Sequence, residues 1–269
     1  MFARRTLALL AATALARPAI IRPVMAAEPA LDALLARHVS LPPDGVTRVA
    51  YARWKASAAD MAALDGWILE AATRRPSAMT RNEAYAFWAN LYNALTLKVV
   101  LDRYPVASIK DIRSTGVGLD PRQFFGPWRT RLVTIEGQRM SLDDIEHGTM
   151  RPTFRDPRVH YAVNCASIGC PNILPRAWRA ETLEAELDDA ARAFVNHPRA
   201  ATVLPDGRLR VSSIYKWFRE DFGGDDAGVI AHLRRYAAPP LASALQNITR
   251  VAEDTYDWSL NDISPNTRS

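Results

Sequence analysis

The residues best equipped for chemistry fall in one stretch, His160-Tyr161-Ala162-Val163-Asn164-Cys165-Ala166-Ser167-Ile168-Gly169-Cys170-Pro171. A thiol attacks as its thiolate, so a reactive cysteine needs a base or a cation beside it. His160 can supply that base. A catalytic Cys165/His160 pair would suit a hydrolase or an acyltransferase working through a thioester. Small residues after Cys165 would admit a carbonyl, and N–H groups of the loop would hold an oxyanion. Cys165 and Cys170 are the two cysteines of the 269-residue chain. They could equally close a disulfide, because a tight loop reaches the required Cα separation of ~4.4–6.8 Å. Two further uses stay open: a labile redox pair, although the Cys-x-x-Cys spacing is absent, and a Cys165 packed as a small hydrophobe.

The elements that must position these groups set limits on them. Arg158 to Cys165 reads as a strand. Alternation would put His160, Ala162 and Asn164 on one face and Cys165 on the other, so direct contact would need a bend. The strongest helix is Thr80 to Asp102, with Thr80 and Glu83 spaced as a capping box and apolar or aromatic residues on every side, the pattern of a helix surrounded by protein. Asn90 and Asn93 share one face of it. With Asn164 they are candidate binding or positioning groups. In so apolar a helix their amides must find partners, and tying a loop backbone to the helix is the commoner use.

Other histidines offer less. Glu146-His147 lacks the His-Glu-x-x-His pattern, and His38, His197 and His232 are scattered, so no metal site and no cofactor is expected. Lys216, Trp217, Phe218, Asp221 and Phe222 read as core packing with a surface ion pair. No glycine-rich phosphate loop and no Gly-x-Ser-x-Gly occurs.

Around these segments, Glu28 to Ser40 and Trp54 to Ala72 read as helices. Ser108 to Trp128 reads as a loop whose Phe124, Phe125 and Trp128 fold back on the core. A hairpin turns at Glu136-Gly137, and Ser141 to Met150 is a capped helix. Glu181 to Phe194 is amphipathic, and a second hairpin turns at Pro205-Asp206-Gly207. Helices follow at Ile214 to Phe222 and Ala227 to Tyr236, with a closing strand within Ile248 to Trp258. Without regular βαβ alternation this is an α+β chain. The expected architecture is a single globular domain, its central buried helix packed with other helices against a small, mostly antiparallel sheet.

The first 27 residues stand apart. Arg4 and Arg5 precede an apolar run from Thr6 to Ala16, and Val24-Met25-Ala26-Ala27 offers small residues for cleavage. This is the layout of a signal peptide, with paired arginines of the twin-arginine type. The run is short of the ~20 residues a membrane span needs. The expected organisation is a signal peptide over 1–27, a helical lead-in over 28–79, a core over 80–262 and a tail over 263–269. A soluble mature chain without a transmembrane segment, in the periplasm or secreted, is expected. Arg4, Arg5, Arg17 and Arg22 carry four of the five net positive charges. The remainder is therefore nearly neutral, and no nucleic acid partner is expected. A small-molecule, peptide or envelope ligand is the expected partner.

Several segments resemble, in order, the domain of unknown function 547 family. They are Ala86-Phe87-Trp88-Ala89-Asn90-Leu91-Tyr92-Asn93-Ala94-Leu95, Ser141-Leu142-Asp143-Asp144-Ile145-Glu146-His147, the His160 to Pro171 stretch, Ser213 to Phe222, and Tyr256-Asp257-Trp258-Ser259-Leu260-Asn261. The resemblance spans roughly residues 81–261. It implies a globular α+β domain and carries over no activity and no catalytic residue. Two function classes follow from the residues: a Cys/His-dependent hydrolase or acyltransferase, and a non-catalytic envelope binding or maintenance domain in which Cys165 and Cys170 brace a loop.

Overall fold

A computed structural model describes residues 28–112 and 126–263. The signal peptide expected over 1–27, the placement of Phe124 and Phe125, and most of the tail lie outside the described residues. The chain opens with α1 (Glu28–His38), a two-residue pairing of β1 (Val39–Ser40) with β2 (Arg48–Val49), α2 (Tyr51–Ala56) and α3 (Ala58–Ala71). Trp54 to Ala72 is thus not one helix. Ser57 leaves the helical region and its side chain accepts from the Asp60 N–H, capping α3 as α2 ends.

The centre is α4 (Arg81–Arg103). Thr80 and Glu83 form a reciprocal capping box, and sixteen of the 23 residues are buried, so no face is left to solvent through its middle. After the hairpin of β3 (Val133–Ile135) and β4 (Gln138–Met140) come α5 (Leu142–Ile145), a π-helical turn over Glu146–Met150, and α6 (Arg151–Phe154). Next are α7 (Val159–Ala162) and α8 (Leu183–Val195), then the hairpin of β5 (Ala201–Val203) and β6 (Leu209–Ser212). The chain continues through α9 (Ile214–Trp217), a 3₁₀ turn over Arg219–Phe222, α10 (Asp226–Tyr236), α11 (Pro239–Ala244) and β7 (Val251–Thr255). β5 pairs antiparallel to β6, and β7 lies parallel on its other side. The architecture is a single α+β domain built on a buried helix and small sheets. Among the described residues no helix is long and apolar enough to cross a membrane.

The strand expected over Arg158 to Cys165 is not formed. Val159 to Ala162 make one helical turn, all four buried, and only from Val163 is the chain extended. The reason is packing on two sides. Val159 and Ala162 enter the core around α4, with Trp54, Leu64, Leu91 and Trp178. Tyr161 enters a second core of α8, α10 and β6, with Phe194, Leu209, Tyr215 and Leu233. A helical turn presents neighbouring residues to different sides at once, whereas a strand offers two faces.

Candidate functional site

His160 leaves α7 at the seam between these cores and is buried. Its Nε2 donates to Asp221 Oδ2 at 2.6 Å, and its Nδ1 lies 3.6 Å from Glu146 Oε1. Asp221, in the turn after α9, also accepts from Arg151 Nε at 2.6 Å. Phe218 stacks on the imidazole, ring centres 4.2 Å apart and planes within 15°, while the Arg151 guanidinium lies 4.9 Å from the same Phe218 ring centre. Glu146 reaches this point because Ser141 and Asp144 cap α5 and the wider π-helical turn follows, with Glu146 and Met150 buried. Such turns recur at functional sites.

The electrostatics follow from the neighbours. Burial pushes the His160 imidazole down, but the bonds and charges of Asp221 and Glu146 outweigh it and the net shift is upward. Burial raises the Asp221 carboxyl, and His160 with Arg151 overrides that, holding it at about 2. Glu146 is likewise net lowered despite burial, through His160, the nearby charge of His147 and a hydrogen bond from Tyr92. At neutral pH the cluster holds two carboxylates with an imidazole between them. Both ring nitrogens are spoken for, so His160 is not aimed at Cys165 as a base.

Cys165 and Cys170 are joined in a disulfide with Cα atoms 6.3 Å apart, and neither is a thiol in this state. The loop they close is braced by amides. Asn164 Nδ2 donates to the Pro171 carbonyl at 2.7 Å and its Oδ1 accepts from the Ala166 N–H at 2.8 Å. Asn93 donates to the Ala162 carbonyl and accepts from the Asn164 N–H, at 2.9 and 2.8 Å. Asn90 does the same for the backbone of Trp178, at 3.0 and 2.8 Å. Asn90 and Asn93 therefore fix loop backbone to α4, while Asn164 braces the loop it opens, and none of these bonds points at a ligand. Gly169 lies so close to the segment after β7 that a Cβ would sit 2.9 Å from the Asp257 nitrogen. Tyr256 hangs over the loop, its hydroxyl 3.1 Å from Cys165 Sγ, 3.0 Å from Cys170 Sγ and 2.9 Å from Ser167 Oγ.

The disulfide and the His160 cluster open onto one cavity of about 380 Å³. Its wall is aromatic: Trp258 packs on Trp128, Trp217 and Tyr256 with ring centres 5.7, 5.6 and 4.7 Å away. Trp217 is nearly half exposed at the mouth. Glu146, Asp143, His147 and Arg129 supply polar edges, with Arg129 paired to Asp143 at 3.2 Å. An apolar hollow with a few convergent polar groups is the usual form of a small-ligand site. Among the described residues no group of three or more His, Cys, Asp or Glu side chains is arranged to hold a metal ion.

Residues 76–195 match the family described as Protein of unknown function, DUF547. The resemblance read from the sequence is thereby shown over that segment. No curated protein and no solved structure matches the chain. The DUF547 segment contains α4, Glu146, Arg151, His160 and the disulfide loop. Trp217, Phe218, Tyr256 and Trp258 come from beyond it, so the cavity is completed by chain outside the matched residues, as is the His160 partner Asp221.

Sequence reasoning singled out His160, Cys165 and Cys170, and the structure brings all three to the cavity wall. It missed Asp221 and Glu146 as the partners of His160, and Tyr256 as the cover of the sulfurs. The available signal was the alternation of charge and aromatic residues from Lys216 to Phe222, which reads as a surface face until His160 is known to stand opposite.

Proposed function

We propose that the chain is an exported envelope domain that binds a small organic ligand with a flat apolar face in the aromatic-walled cavity, with the Cys165–Cys170 disulfide holding one wall. One observation carries this reading: His160 is held between Asp221 and Glu146, and Cys165 is bonded, at the floor of a cavity sized for a ligand. Pockets of ~300–1,000 Å³ take small molecules, and this one sits at the lower end. Stacked indole and phenol rings attract the flat faces of ring compounds, while buried Glu146 would orient a donor of the ligand. Export rests on the signal-peptide layout of residues 1–27.

The test is a thermal-shift panel of sugars, amino sugars and aromatic acids. A compound that raises the Tm of the native chain should lose most of that effect in Trp258→Ala and in Glu146→Gln. A binder whose full shift survives both substitutions would put the ligand elsewhere and end the reading. The second reading, a Cys165-dependent hydrolase or acyltransferase, is favoured by one observation, the shared cavity of Cys165 and His160. It would show itself as activated-ester hydrolysis that appears only after reduction and disappears in Cys165→Ala.

A further inference from the structure

The two sulfurs of the disulfide are not equivalent. Both line the cavity, but Cys165 is half-buried, whereas Cys170 is buried. The Tyr256 hydroxyl lies between them, 3.0 Å from Cys170 Sγ and 3.1 Å from Cys165 Sγ, and the Ser167 hydroxyl is 3.3 Å from Cys165 Sγ; the donor that tells the two apart is the Cys165 N–H, 2.9 Å from Cys170 Sγ. The Ser167 hydroxyl, 2.9 Å from the Tyr256 oxygen, extends the relay. Behind the loop Arg199 donates to the Ile168 carbonyl at 3.1 Å and to Asn172 Oδ1 at 2.6 Å, and among the described residues it pairs with no carboxylate. A disulfide sulfur is a weak acceptor and gains little from such donors. A thiolate gains charge-assisted hydrogen bonds, and a nearby cation lowers a thiol's pKa. The Cys165 N–H therefore favours a thiolate at Cys170, and the Tyr256 hydroxyl stands ready to donate to it.

We propose that this chain performs thiol–disulfide exchange with a low-molecular-weight thiol admitted to the cavity, Cys165 being the sulfur attacked and Cys170 the sulfur released. The incoming thiolate bonds to Cys165 Sγ as the Cys165–Cys170 bond breaks. The electron pair leaves on Cys170 Sγ, where the Cys165 N–H and Tyr256 O–H receive it. A second thiolate then attacks the substrate sulfur of the mixed disulfide and releases Cys165. Two thiols become one disulfide, the protein pair takes up two electrons, and the two protons end on Cys165 and Cys170. A disulfide compound of the same class drives the reverse steps and restores the bond. The more exposed sulfur and the sulfur with the backbone donor are different residues, which favours attack at Cys165 with release of Cys170. None of this depends on which ligand stacks on the tryptophans.

Glutathione and its disulfide are the probes, used on the full folded chain with the products read by intact mass. Reduced glutathione should open the native disulfide, and Tyr256→Phe, which keeps the ring, should slow opening roughly tenfold by removing one charge-assisted donor. Cys170→Ser treated with glutathione disulfide should trap a mixed disulfide on Cys165 faster than Cys165→Ser traps one on Cys170. In the reduced chain the alkylation profile of Cys170 should lie below the ~8.5 of a free cysteine and rise in Tyr256→Phe. A native disulfide that opens only in denaturant, equal rates with and without the Tyr256 hydroxyl, or preferential trapping on Cys170 would each overturn the proposal.

Discussion

Two buried histidines of this fold are built almost alike and end in opposite states. His38 Nε2 donates to Asp60 at 2.8 Å, Asp60 also takes Arg37, and the imidazole stacks on Trp54 at 4.5 Å and 14°. His160 repeats the pattern with Asp221, Arg151 and Phe218. The difference lies at the other ring nitrogen. Among the described residues His38 Nδ1 is buried with no hydrogen-bond partner, and burial lowers the imidazole pKa despite Asp60. His160 Nδ1 faces Glu146, and its pKa rises. Beside one aspartate, burial and the charges of Arg53 and Arg37 win and the His38 pKa falls; with a second carboxylate the balance turns and the His160 pKa rises. Only the second histidine opens on a cavity. His38 ties α1 to α3, whereas His160, its pKa raised, lines the cavity.

The largest expected effect comes from erasing the difference. Glu146→Gln should lower the His160 titration midpoint, followed by its imidazole NMR signals, and leave that of His38 untouched. A His160 midpoint that stays put would mean that Asp221 alone sets its charge, and the comparison would fail. A smaller effect separates the two aspartates. Asp60→Asn should cost roughly 1–3 kcal/mol of stability by denaturant titration, as expected for a disrupted buried network, without altering ligand binding. Asp221→Asn should cost less stability, since Asp221 is partly exposed, and should change binding. Reversed roles would put the functional histidine at position 38.

The smallest effect is in the pH dependence of Tm. His38 has a lowered folded pKa, so its contribution is present above ~6.5 and is lost as pH falls through the folded value. His160 has a raised one, so its contribution is full below ~6.5 and is lost as pH rises through the folded value. His38→Gln should therefore flatten the acid limb and His160→Gln the alkaline limb. Asp221, held at about 2, adds loss only in strong acid. Identical limbs in both variants would contradict the assigned directions.

Much of the scaffold was legible because its signals are local. The Thr80/Glu83 box, the Glu136-Gly137 and Pro205-Asp206-Gly207 turns and the amphipathic α8 each rest on a few adjacent residues. The commoner use of the Asn90 and Asn93 amides, tying loop backbone to the central helix, also follows from helix spacing and the need to satisfy buried groups. The turn at His160 was not legible, since Val159, Tyr161 and Val163 alternate as a strand would, and the choice was made by two cores meeting there. Nor were the partners of His160. Asp221 is 61 positions away and Glu146 is aimed by a π-helical turn that no local pattern announced.

Tyr256 comes 89 positions after Ser167, whose hydroxyl it meets. At ~5–20 residues per second Tyr256 is therefore added roughly 4–18 s after the cysteine loop, so the loop can leave the ribosome before its phenol exists. For that interval Cys165 and Cys170 face whatever oxidant or reductant surrounds the nascent chain, so their first redox state is decided by timing and compartment before architecture has any say.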